Sequence, residues 1–277
     1  MFVSQRYLPV HPLLQDVVEY FQIVESAPMS LARSIPNTRI DGWLLLEGSF
    51  EICSDVSGPY FPVPVAGIAP MRDLPIFFST IEGFRVVNFK CYPHLLSMPV
   101  LASLKSAVQA LAFEQIFPKK EVAILLEVLK ARSPDEEKIM AIESFLAAWL
   151  LCDAPADNWL QSVLNAIRKS DGRVEHLAAC SFVSVKTFER RFQQQIGISP
   201  KTFCKLARFQ QIVKAINCAN PQQPAQSHSW NAGYYDQSHF IKDCRAITGL
   251  PPRRLFRQLP TMITDLILMD SQGILGV

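Results

Sequence analysis

The chain has 277 residues, of which 49% are hydrophobic and 19% charged, with a formal net charge of +2. That length predicts two domains, and the apolar share suffices for packed cores, which excludes a disordered chain. No run of about 18 apolar residues is free of charge or proline, so no membrane-spanning helix is expected, and the first fifteen residues, MFVSQRYLPVHPLLQ, lack the pattern of a secretory leader.

The charge is unevenly shared. Residues 160–258 hold 15 Lys and Arg against 5 Asp and Glu, a net of +10, whereas residues 1–159 hold 12 against 18, a net of −6. A basic block of this size attracts a polyanion, and the acidic block repels one. The seven cysteines include no CxxC pair, which predicts reduced, mostly buried thiols of a cytoplasmic protein, with neither a disulfide frame nor a zinc site.

Residues 1–100 read as an antiparallel β-barrel or roll. Trp43–Leu46, Phe50–Cys53, Phe61–Ile68 and Phe84–Phe89 are strand-sized apolar runs, with Gly58-Pro59, Pro62, Pro64, Pro70, Pro75 and Gly83 between them. Pro12–Ile23 reads as a helix with Leu13, Val17, Tyr20 and Phe21 on one face. From 101 to 151 the spacing turns helical, at Ser103–Phe113, Lys120–Ala131 and Asp135–Leu151. On the last of these Ile139, Ile142, Phe145, Leu146 and Trp149 share a face, which serves either as a dimer face or as a cover for the β-unit. Leu151–Asn158 reads as the linker.

Residues 158–258 read as an all-α unit of short helices. Val174–Cys180, the turn Ser181-Phe182-Val183 and Ser184–Phe192 form a helix-turn-helix, with Ser184 as N-cap and Gly197 as stop. Val185, Phe188 and Phe192 are expected to face the core. Lys186, Thr187, Glu189, Arg190 and Gln193 then point outward, across the width that a helix presents to a major groove. Ser199-Pro200 starts a longer helix. An echo follows in Gly233–Phe240, where Asp236 caps a helix that sets Phe240 and Cys244 inward and Gln237, Ser238, Ile241, Lys242 and Arg245 outward. Residues 259–277 extend past this unit and are expected to pack across a domain surface.

SVKTFERRF at Ser184–Phe192, GISP at Gly197–Pro200, RFQ at Arg208–Gln210, and GYYDQSHF at Gly233–Phe240 running on to GLPP at Gly249–Pro252 carry a resemblance. In order and spacing they resemble the double helix-turn-helix domain of AraC/XylS-type bacterial transcription regulators, over about a third of the chain. Ile35-Pro36 leading into WLLL, and FRVVNFKCYPHLL, more weakly resemble the β-rich sensory domain of that family. The resemblance implies an α+β protein that binds double-stranded DNA through two recognition helices. It implies base contacts from Lys186, Thr187, Glu189 and Arg190 on the first helix, and from Gln237, Ser238 and Lys242 on the second. Arg191, Lys201, Thr202 and Arg245 would meet phosphates. It also implies a homodimer, and RNA polymerase as a partner if the protein activates. The second motif departs from the pattern at His228 and Ser229, where an apolar residue and an alanine are usual, so the first motif is expected to dominate.

The β-unit either holds a small-molecule effector, lined by Trp43, Phe50, Phe77 and Phe89, or has a solid core. No GxGxxG, P-loop, HExxH, GxSxG or paired-carboxylate pattern occurs, so no enzyme activity, cofactor or metal is expected. Two other readings stay open: a degenerate regulator acting through protein contacts, and a ligand-binding protein with an accessory helical part.

Overall fold

A computed structural model describes residues 2–55, 57–107, 109–150, 159–169, 173–218, 237–258 and 267–269. Eleven strands among these form two antiparallel sheets. The first has the order β1 (Phe2–Tyr7), β2 (Val18–Ser26), β9 (Phe84–Cys91), β4 (Ile40–Gly48), β7 (Ala66–Ala69), β10 (Leu111–Ala112). The second runs β11 (Ile267–Met269), β3 (Met29–Ser34), β8 (Ile76–Thr80), β5 (Glu51–Cys53), β6 (Phe61–Pro62). The antiparallel roll read from the sequence is what forms.

The stretch Pro12–Ile23 is not a helix: only Pro12–Leu14 makes a 3-10 turn, and β2 follows. Val17, Tyr20 and Phe21 are buried, but so are their neighbours Val18, Ile23 and Val24. A strand covered on both faces loses the apolar–polar alternation that marks one, and its apolar run then matches a helical template. Ser103–Phe113 is also not an α-helix. Pro99–Lys105 winds as 3-10, burying Leu101 and Leu104 three residues apart on one side, and β10 follows. Phe61–Ile68 divides at its prolines into β6 and β7, and the Pro64 carbonyl accepts the Trp43 indole N–H at 2.9 Å.

The helices α1 (Lys119–Lys130) and α2 (Asp135–Leu150) form as expected. The stripe on α2 is a cover for the roll. Ile139, Ile142 and Leu146 are buried, and Phe145 stacks on Phe113 at 5.9 Å and meets Phe117 edge-on at 5.1 Å. Buried Glu143 accepts the Val10 and His11 backbone N–H groups at 2.8 and 3.2 Å, tying the approach to β2 onto α2.

Six helices follow: α3 (Trp159–Lys169), α4 (Val174–Cys180), α5 (Val185–Ile196), α6 (Pro200–Cys218), α7 (Gln237–Thr248) and α8 (Pro252–Gln258). One apolar cluster runs from the first sheet through α1 and α2 into α3, α4 and α5, ending at Phe203 and Cys204. A second cluster joins Leu206, Phe209, Phe240, Cys244 and Ile247 to Ile35, which follows directly on β3. The tail returns to the roll, with Ile267, Leu268 and Met269 pairing antiparallel to Ser34, Arg33 and Ala32. Among the described residues no helix is long and apolar enough to cross a membrane, and no group of three or more His, Cys, Asp or Glu could hold a metal ion.

Candidate nucleic-acid interface

Local chemistry sets the first motif. The Ser184 hydroxyl accepts the Thr187 N–H at 3.2 Å and caps α5, while Gly197 ends the helix at φ +91°. A Cβ on Gly197 would lie 2.9 Å from the Lys105 carbonyl, so the stop also lets α5 seat on the 3-10 turn of the roll. Ser199 caps α6, accepting the Thr202 N–H at 3.1 Å. Phe188, Phe192 and Ile196 are buried on one side of α5, and the ring of Phe192 meets Phe203 of α6 edge-on at 5.5 Å.

The opposite side of α5 exposes Lys186, Glu189, Arg190 and Gln193. Two predicted placements differ. Val185, the first residue of α5, does not face the core but is 38% exposed. Arg191 is half-buried, its guanidinium 4.1 Å over the Trp159 ring, so its charge emerges from a stacked position. Thr187 is half-buried and its hydroxyl takes a bond from Ser184 at 2.9 Å. Lys201 is exposed, while half-buried Thr202 shares a hydroxyl contact with Ser199 at 3.0 Å.

On α7, Gln237, Ser238, Lys242 and Arg245 are exposed, and Phe240, Asp243, Cys244 and Ile247 are buried. His239 lies 3.6 Å from the Asp243 carboxylate on its own helix. The Thr248 hydroxyl donates to the Cys244 carbonyl at 2.6 Å and accepts the Leu250 N–H at 3.0 Å, closing the helix on itself. The turn and cap expected at Gly233–Asp236, and the departure at His228 and Ser229, lie outside the described residues.

Contacts that no motif announced join this helical region to the roll. Gln210 of α6 accepts from the Thr38 hydroxyl at 2.5 Å and from the Thr38 N–H at 3.3 Å. Arg33 of β3 donates to the Thr248 carbonyl at 3.0 Å while lying 5.0 Å over the Phe77 ring. Arg168 of α3 and Arg39 of the roll both lie against the Tyr92 ring, at 5.2 and 4.9 Å.

Between the two sheets is a cavity of about 330 Å³, lined among others by Trp43, Phe50, Met71, Arg72, Phe78 and Asn88. Trp43 and Phe50 therefore face it. Phe77 and Phe89 do not: Phe77 is turned to Arg33, and Phe89 lies on the far side of the first sheet, 6.0 Å from the ring of Phe21. Arg72, which the sequence did not single out, is half-buried in this wall. It donates to the Ser34 carbonyl at 3.0 Å and the Ser34 hydroxyl at 2.6 Å. Burial pulls its pKa down to about 10 against the opposing pull of Asp41, so it stays charged at neutral pH. The Asn88 Oδ1 atom is buried without a hydrogen-bond partner in the same wall.

Residues 177–258 match the helix-turn-helix domain family. No curated protein sequence matches the chain. Among solved structures, ToxT from Vibrio cholerae superposes with a TM-score of 0.51 at 8% identity, over 94% of this chain and 99% of that one. An apo ToxT variant gives 0.52 at 7% identity, over 93% and 97%. ToxT bound to (E)-4-(8-methylnaphthalen-1-yl)but-3-enoic acid gives 0.50 at 9%, over 93% and 99%. At these identities the shared fold is the finding. Residues 177–258, with their capped α5, are a helix-turn-helix domain of the AraC type, and the chain that carries them is a DNA-binding regulator of transcription.

Proposed function

We propose that the protein works in the cytoplasm, with α5 reading base edges in one major groove and α7 in the next. The observation that carries this is α5 itself: a capped helix in the family match, buried through Phe188, Phe192 and Ile196, that leaves Lys186, Glu189 and Arg190 on its open side. Lysine and arginine donate to guanine O6 and N7, and a glutamate accepts from cytosine N4. Thr187 sits beside them at the helix start. On α7, Gln237 suits adenine, with Ser238 and Lys242 flanking it. Lys201, Thr202, Arg191 and Arg245 supply phosphate contacts, which set register and affinity without reading sequence.

Selection of bound fragments from a random duplex library is expected to return a defined site. Against that site Arg190→Ala should lose about 1–3 kcal/mol of binding, while affinity for random duplex stays nearly level. An unaltered ratio of specific to random binding would remove Arg190 from the base-reading set.

The cavity favours a switched regulator over a constitutive one. Its walls are aromatic and its cation is the half-buried Arg72, a combination suited to an apolar molecule with one anionic end. One ToxT structure holds an apolar carboxylic acid of this kind. Titration with such acids is expected to change Trp43 emission and the affinity for the selected duplex, and Trp43→Phe should abolish the emission change. Silence of both signals across the series would leave the regulator without an effector at this site. A homodimer would use apolar side chains that α1 and α2 leave exposed, Ile124, Val128 and Met140. An activator would further engage RNA polymerase.

A further inference from the structure

The turn of the first motif contains a residue that is both strained in its backbone and exposed in its side chain. Helix α4 ends in two overlapping bonds. The Val183 N–H donates to the Ala178 carbonyl at 3.2 Å and the Phe182 N–H to the Ala179 carbonyl at 3.0 Å. This is the Schellman pattern, whose penultimate residue takes the left-handed conformation and is usually glycine. Here that residue is Phe182, at φ +54°, the one non-glycine with positive φ among the described residues. A Cβ in this conformation crowds the following carbonyl, and glycine would relieve it.

Packing within the chain does not offset that strain, since Phe182 is 96% exposed. A strained residue that its own fold leaves unused points to a use outside the chain. Its surroundings identify the partner. Phe182 lies two residues before the cap of the recognition helix, and exposed Val185 opens that helix beside exposed Lys186. The N-terminal part of a recognition helix is the part that meets base edges. An apolar side chain has one specific counterpart in the major groove, the thymine 5-methyl group.

We infer that Phe182, with Val185, makes an apolar contact on a thymine methyl at the edge of the site read by α5. The inference rests on the DNA-binding reading. It adds a specificity determinant carried by the turn, not by the helix. The left-handed backbone at Phe182 leaves the ring free of the chain's own packing and open to such a contact.

The test uses the full-length protein and the duplex selected from the random library. Thymines are replaced one at a time by deoxyuridine, which removes only the methyl, and dissociation constants are measured by fluorescence anisotropy. One position should cost the wild type about threefold to fivefold, the worth of one buried methyl. Phe182→Gly and Phe182→Ala should both bind the thymine duplex more weakly and be indifferent to deoxyuridine there. Phe182→Gly should also melt at a higher temperature than the wild type, which separates lost contact from lost fold. Wild-type indifference at every thymine overturns the inference, as does a Phe182→Gly variant that retains the methyl dependence. Full DNA binding by Phe182→Gly with loss of transcription in vitro would instead assign the ring to a protein partner and also overturn it. Failure to select any duplex is a different result, since it removes the DNA-binding reading itself.

Discussion

Replacing Ile35 by alanine is expected to destabilise the protein by about 2–5 kcal/mol, the cost of emptying a fully enclosed aliphatic site. The loss should appear far from the substitution in sequence. Ile35 is 0% exposed and packs with Leu206, Phe209, Phe240, Cys244 and Ile247, so the roll supplies part of the core on which α7 rests. Urea unfolding should show the lost stability, and amide exchange should show faster opening in α7 than in α1. Equal acceleration in both helices would mean that the cavity is absorbed by the whole molecule. Wild-type exchange in α7 would mean that the second recognition helix stands without the roll.

The second large effect is expected from Asp41→Ala. Asp41 pairs with Lys90 across adjacent strands β4 and β9, and the Lys90 side chain is only 8% exposed. Removing the carboxylate leaves an ammonium in the core without its counter-charge, which costs about 3–5 kcal/mol, whereas an apolar replacement of both partners is close to neutral. Asp41→Ala should therefore be far worse than the Asp41→Leu, Lys90→Met double variant in denaturant unfolding. A double-mutant cycle with no coupling would show that Lys90 finds other solvation. Because Asp41 also lines the cavity near Arg72, the single variant should alter any anion response as well.

The helix-turn-helix was legible because its signals are local. Ser184, Gly197 and Ser199-Pro200 each act through a bond or a dihedral within four residues, and each stands where its chemistry places it. The roll was legible only as a class. Strand β2 is buried on both faces, so Val17–Val24 carry no alternation to read, and the 3-10 turn at Pro99–Lys105 is tightened by packing and not by propensity. Val185 was misplaced because a 3.6-residue period continues to the end of a helix, while the surface it packs on does not. Phe182 gave no warning, since glycine is the usual mark of its conformation. Thr38–Gln210 and Arg33–Thr248 join residues over 170 positions apart, and nothing short-range announces such pairs.

The three-residue pairing of Ile267–Met269 with β3 changes how the helical region can move. A module attached only at its entry swings like a pendant, free about every axis through one joint. Here the chain leaves the roll, builds α3 to α8, and fastens back on the same strand that carries Arg33 and Ser34. With the shared apolar core and the Thr38–Gln210 and Arg33–Thr248 bonds between them, the helices are buttoned to the roll along their length. Reorienting them on an operator means parting the tail strand and that shared core together, so trimming the chain after Gln258 should loosen the recognition helices without freeing them.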